Sequence, residues 1–154
     1  MTAPRSIEFD VSLRPLIIVR YEGRANDSDT QAVLEQRARW LHTRERHVII
    51  HDLTRAHALG TSAQRRVQVD WVKAHLHLMR ECVLGVAFVS DSAAMRLLLS
   101  LVHHLQPLPM PQVTLPDMDA ALRWSLGRLR QAGLNADAER LHHHFEPALD
   151  RRTG

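Results

Sequence analysis

The chain has 154 residues, 45% of them hydrophobic, with 20 basic and 17 acidic side chains and a formal charge of +3 when its 11 histidines are neutral. That length suits one domain with its own core, and the lone Cys82 excludes an internal disulfide framework and fits a small core residue of a reducing, cytoplasmic protein. Arginines mixed with acids, no run of five like charges and only 5% aromatics argue against a nucleic-acid surface.

The first ten residues, MTAPRSIEFD, contain acids and no apolar stretch, so no secretory signal is expected. Ile7, Phe9 and Val11 then alternate with Glu8, Asp10 and Ser12, the pattern of a half-buried edge strand. Pro15 breaks that ladder. Residues 16–19 form an apolar run of the kind covered on both faces, and the short connection predicts an antiparallel hairpin. Ser28 with Gln31 three residues on matches a capping box. The helix it opens carries Val33, Leu34, Ala38 and Leu41 inward, with Glu35, Gln36, Arg39 and Arg37 assigned to the outer face.

Residues 48–50 predict the next buried strand, ending at His51 and Asp52, with a loop over 53–60. Thr61 or Ser62 caps a helix to about Arg80, whose inner face is Val69, Val72, Leu76, Met79 and Val83. LGVAFV at 84–89 reads as a strand, and its Gly85 and Ala87 imply close packing over one face.

Residues 93–105 read as a helix with Met95, Leu98, Leu99, Val102 and Leu105 toward the sheet. Leu97 and Leu101 turn elsewhere, marking a possible interface. Arg96, Ser100, His103 and His104 interrupt this tract, which falls well short of the about 20 residues of a membrane span. Pro107, Pro109 and Pro111 force an extended connector. A short strand at 112–115 follows, then a helix capped by Asp117, with Met118, Ala121, Leu122, Ser125 and Leu129 inward, and stopped at Gly133. A last short helix from Asn135 to about His144 is docked by Leu141 and Phe145, and the LDRRTG tail is expected to fray.

The order β-β-α-β-α-β-α-β-α predicts an α/β domain with a largely parallel five-stranded sheet covered by helices, plus the short C-terminal helix. In this order, with VIIHDL followed by a polar loop and helix, and with LGVAFVSD, the chain resembles STAS-like domains. These are the anti-sigma factor antagonist-like, or SpoIIAA-like, group, and the chain is similar to its stand-alone bacterial relatives. The resemblance covers residues 6–133, with 134–154 as C-terminal helix and tail. It implies a non-catalytic regulatory or protein-binding module.

In those antagonists the strand matching 48–52 ends in an acid, and a hydroxyl at the following helix start is phosphorylated. Asp52 matches the acid, and Thr61 and Ser62 fall near the helix start. The acid before the hydroxyl and the glycine after it are both missing, since the neighbours are Leu59, Gly60, Ala63 and Gln64.

Thr61 and Ser62, with Arg65 and Arg66, are therefore candidates for a phosphoacceptor or anion site at a helix N-terminus. The simpler role of such hydroxyls is to cap the helix. His51 and Asp52 at a strand end, with Thr54 and His57 in the following loop, are where open α/β sheets place ligand contacts. An enzyme using His51 and Asp52 would need a third group, and none accompanies them at a defined spacing. The histidine pairs and the 142–144 triple lack ligand spacing, so no metal and no cofactor is expected. The apolar helix at 93–105 and the small residues of the 84–89 strand suggest an alternative to regulation, a small apolar-ligand or lipid carrier. A protein partner or homodimer through Leu97 and Leu101 is the other expectation.

Overall fold

A computed structural model describes residues 7–57 and 60–149, with side chains through residue 146. The order is β1 (Ile7–Asp10), β2 (Leu16–Gly23), α1 (Asp27–His42), β3 (His47–Ala56), α2 (Ser62–Cys82), β4 (Val83–Val89), α3 (Ala93–Leu105), β5 (Gln112–Leu115), α4 (Met118–Gln131) and α5 (Asn135–Leu149). The strands lie in the sheet in chain order. β1 pairs antiparallel with β2, and β2 to β5 are parallel. This is the α/β architecture the alternating apolar runs predict.

Right-handed crossovers that step in one direction place α1, α2 and α3 on one face of the sheet. The opposite face belongs to α4 and α5. The alternation of β2 shows the division. Leu16 and Ile18 pack with Val48, Ile50, Ala87, Leu126 and Leu129 on the α4 side, and Ile17 and Val19 pack with Val33, Trp40 and Ile49 on the α1 side. Ala138 and Leu141 of α5 join the first of these cores.

The α4 face is sealed. Trp124 lies so close over Gly85 that a Cβ there would come within 2.6 Å of its ring. That contact, on the α4 side, accounts for the small residue of β4. α4 begins at Asp117, whose carboxylate accepts from the Ala120 N–H, and stops where Gly133 takes φ +82°. The Leu134 N–H then donates to the Leu129 carbonyl at 2.9 Å, a Schellman-type ending.

Several local expectations need correction. The capping box of α1 is built by Asn26 and Asp29, not Ser28 and Gln31. Asn is as good a cap as Ser, so Asn26, two residues earlier, starts the helix first. β3 continues to Ala56 because Arg55 and Ala56 pair with Glu22 and Gly23 beyond a register shift, which shortens the expected loop. Val83 starts β4 instead of ending the α2 stripe. α5 runs through Pro147 to Leu149. The LDRRTG tail lies outside the described residues except for its leucine's backbone.

The face under α2 and α3 is not sealed. Met79 and Cys82 at the end of α2 are buried, but Val69, Val72 and Leu76 are only partly covered. On α3 only Leu99 is buried. Leu98 and Leu105, expected against the sheet, are 47% and 69% exposed. α3 rests mainly on β5, with no extended contact to α2, and α5 packs on α4 at the opposite face. The two helices stand apart, so their apolar faces border a space instead of each other.

Candidate functional site

The space between α2, α3 and the sheet is a cavity of about 940 Å³, toward the upper end of the range for small-molecule sites. Its walls include Val33 and Leu34 of α1, Val69, Val72 and Leu76 of α2, and Val102 of α3. Exposed Arg66, Asp70 and Lys73 of α2, with Leu105 and Gln106 at the end of α3, stand at its rim.

A polar row crosses the cavity near the C-terminal ends of the parallel strands, where open α/β sheets gather their ligand contacts. The Tyr21 hydroxyl is 2.8 Å from His51 Nδ1. The His51 ring stacks on Phe88 of the next strand at 5.1 Å, and Phe88 meets His103 of α3 at 4.4 Å. Arg37 enters this row from α1, its guanidinium 4.6 Å from the centre of the Trp71 ring of α2. Tyr21, Arg37, His51, Phe88 and His103 all line the cavity.

Burial sets the charge of each group. It pushes the Tyr21 phenol up to about 12, so the hydroxyl keeps its proton. It lowers His51 well below the usual imidazole range, helped by the nearby positive charge of Arg37 and, whenever His103 is protonated, by that ring too, so His51 is neutral. His103 is lowered by burial as well. A neutral imidazole permits two arrangements. Either the phenol donates to Nδ1, or Nδ1–H donates to the phenol oxygen and leaves the phenol hydrogen for a ligand.

Arg37 is the cation of the site. Burial lowers its guanidinium from the ordinary value, yet an arginine stays charged at neutral pH. Its Nε is buried without a hydrogen-bond partner, and it forms no ion pair among the described residues. Arg37 is half-buried, so part of its guanidinium keeps contact with the open cavity, and stacking on Trp71 is worth about 0.5–2 kcal/mol. Among the described residues no anion pairs with this charge.

The candidates chosen from sequence are distributed differently. His51 is in the cavity floor. Asp52, the next residue on the strand, points to the other face. Its carboxylate accepts from the Thr54 N–H at 3.0 Å and the Thr54 hydroxyl at 2.7 Å, a local turn. His57 is exposed, and its backbone N–H donates to the Gly23 carbonyl. The structure does not assemble these four into one group.

At the start of α2, the Thr61 hydroxyl accepts from the Gln64 N–H at 3.1 Å as the N-cap. Arg65 donates to the Gly60 carbonyl and to the Ser62 hydroxyl. Ser62, Arg65 and Arg66 line the outer end of the cavity. Gln64 is buried. Its Nε2 donates to the Ala25 carbonyl and to Asp27 Oδ1, tying the start of α2 to the start of α1.

Sequence reasoning missed Tyr21, Arg37, Gln64, Phe88 and His103. Arg37 had a readable signal. It is four residues beyond Val33, three beyond Leu34 and four before Leu41, on the apolar stripe itself. Assigning it outward followed its charge, and the period places it inward.

Among the described residues no group of three His, Cys, Asp or Glu side chains could hold a metal ion, and no helix is long and apolar enough to cross a membrane. Neither protein-family models nor curated proteins give a match. The chain is similar in structure to an uncharacterized protein of the DUF3478 family from Shewanella loihica PV-4, solved in a crystal and described as having a SpoIIAA-like fold. The TM-score is 0.61 and the identity 13%, over 81% of this chain and 98% of that one.

The fold is SpoIIAA-like. At that identity the likeness carries architecture alone, as the STAS-like reading of the sequence anticipates. The SpoIIAA-like frame accounts for the sheet order and for helices on both faces. The cavity chemistry belongs to the side chains of this chain.

Proposed function

We propose that the protein is a non-catalytic binding module that takes a small apolar or amphiphilic molecule into the space between α2 and α3. The observation that carries this reading is the cavity itself, about 940 Å³ with largely apolar walls and a few convergent polar groups at one end. An enzyme built on His51 and Asp52 gains no support, since neighbouring strand residues project to opposite faces.

Native mass spectrometry of freshly purified protein tests the reading. The expected result is an adduct that denaturation releases, or uptake of one equivalent of an added medium-chain amphiphile. Val72→Trp, which puts a large ring into the cavity, should lose at least tenfold in affinity, about 1.4 kcal/mol. A wild type that is ligand-free and takes up no such probe would end this reading.

A second reading, a regulatory module that binds protein, is favoured by the outer face of α3. Leu97, Leu101 and Leu105 follow at four-residue steps and are 74%, 54% and 69% exposed. A continuous apolar ridge of this kind is a common protein contact. In its homodimer form, Leu97→Glu should convert a dimer to a monomer in light scattering, and a monomeric wild type would remove that form. Phosphorylation of Thr61 or Ser62 stays with this second reading. It would act where the Thr61 hydroxyl now serves as the helix cap.

A further inference from the structure

Arg37 is a cation set into a largely apolar wall, and among the described residues it has no ion-pair partner. Tyr21 and His51 are close enough to feel its charge, and Trp71 lies under its guanidinium plane. Its Nε has no partner. A cation in such a place is costly unless something completes it. Arg37 lines the open cavity, so an anion entering that space can reach its guanidinium.

The remaining lining has a matching sign. Arg65, Arg66 and Lys73 also border the space, against one acid, Asp70. Those rim charges favour the approach of an anion. Deeper in, Arg37 is the one charged group among the described lining residues, because both histidines of the row are neutral and the phenol keeps its proton. One fixed charge with planar donors suits a single carboxylate. A dianionic phosphate would keep a charge unpaired. Past Arg37 the walls are Val33, Leu34, Val69, Val72, Leu76 and Val102, which suit a hydrocarbon chain.

Resting on the ligand-capture reading above, we infer that Arg37 is a carboxylate receptor and that the cavity selects amphiphiles of one negative charge. The head meets the Arg37 guanidinium and the Tyr21 hydroxyl, and the chain runs between α2 and α3. His51 supports this in the tautomer whose Nδ1–H donates to the phenol oxygen, which leaves the phenol hydrogen for the carboxylate.

The experiment is isothermal titration at pH 7.5, below micelle-forming concentrations, with three probes of one chain length: decanoate, decanol and decyl phosphate. Wild type should bind decanoate about tenfold or more tighter than decanol, as expected for a charge-assisted pair. Arg37→Met should abolish that preference while decanol affinity changes little. Arg37→Lys should keep part of it, and Tyr21→Phe should reduce it severalfold.

Decanol binding by Arg37→Met also shows that the variant is folded and its cavity intact. Equal affinity of wild type for decanoate and decanol would overturn the receptor assignment and leave ligand capture standing. Tighter binding of decyl phosphate than of decanoate would overturn the choice of carboxylate. Failure of all three probes would overturn ligand capture itself.

Discussion

Gly85→Ala should lower the melting temperature, while Val72→Trp should leave it unchanged or raise it. The two substitutions both add volume, one on each face of the same sheet. At Gly85 the new methyl meets Trp124 at 2.6 and 3.1 Å and the Arg128 side chain at 3.2 Å. The indole is rigid and has to leave its seat, and Arg128, whose Nε donates to the Leu84 carbonyl, has to move with it. Overpacking of this kind costs about 1–3 kcal/mol. Replacing a strand glycine returns about 0.5–1 kcal/mol of backbone entropy, which offsets part of that cost.

A net loss of about 1–2 kcal/mol, at roughly 2–4 °C per kcal/mol for a chain of this size, lowers the melting temperature by about 2–8 °C. Val72 lines the cavity, so a larger ring there can extend into open space and bury apolar area. Thermal unfolding followed by circular dichroism checks both. Loss of stability in Val72→Trp equal to that in Gly85→Ala would mean that the α2 face is packed as tightly as the α4 face.

That asymmetry bounds what the sequence could reveal. The succession of strands and helices along the chain was readable because each parallel strand is a short apolar run bracketed by turn residues. The α4 inner face was readable too, because Ala121, Leu122, Ser125 and Leu129 meet a close-packed neighbour. The hydrophobic period of α2 was equally clear at Val69, Val72 and Leu76. Periodicity reports which way a side chain turns, and it does not report how far away the opposite wall is. A packed face and a cavity wall therefore look alike in sequence. α3 was the exception. Its apolar arc is too wide for one contact, which signalled an unfilled surface, while the placement of Leu98 and Leu105 against the sheet was incorrect.

The site was harder to read, for a related reason. Tyr21, Arg37, His51, Phe88 and His103 come from β2, α1, β3, β4 and α3, and no two are close in sequence. Register brings His51 opposite Phe88 and Val19, and the Tyr21 hydroxyl reaches His51 from the irregularity two residues past Val19. Local motifs attract attention to chain neighbours such as His51 and Asp52, which the strand pleat sends apart.

The second large effect is a loss of stability in mild acid. His47, His51 and His103 are all held below the ordinary imidazole range, with burial the largest cause in each. Above pH of about 6.5 these side chains are neutral in both the folded and the unfolded chain, so they contribute no pH dependence. As the pH falls through that value, the unfolded chain takes up protons that the folded chain refuses. Stability then declines with falling pH, at about 1.4 kcal/mol per pH unit for each proton not taken up. The decline continues until the folded state protonates.

His51 should carry the largest share. It is packed by Tyr21 from β2, Phe88 from β4, Arg37 from α1 and His103 from α3, and none of these carries a negative charge to accept a proton's company. His103 is partly exposed and contributes less, because solvent screens it. Urea unfolding at half-unit steps from pH 7.5 to 5.5 measures the slope. His51→Gln keeps an acceptor for the Tyr21 hydroxyl and removes the titrating ring, so it should flatten the slope by close to one proton. An unchanged slope in His51→Gln would mean that His51 protonates freely in the folded chain, and the neutral imidazole that the ligand site relies on would be lost with it.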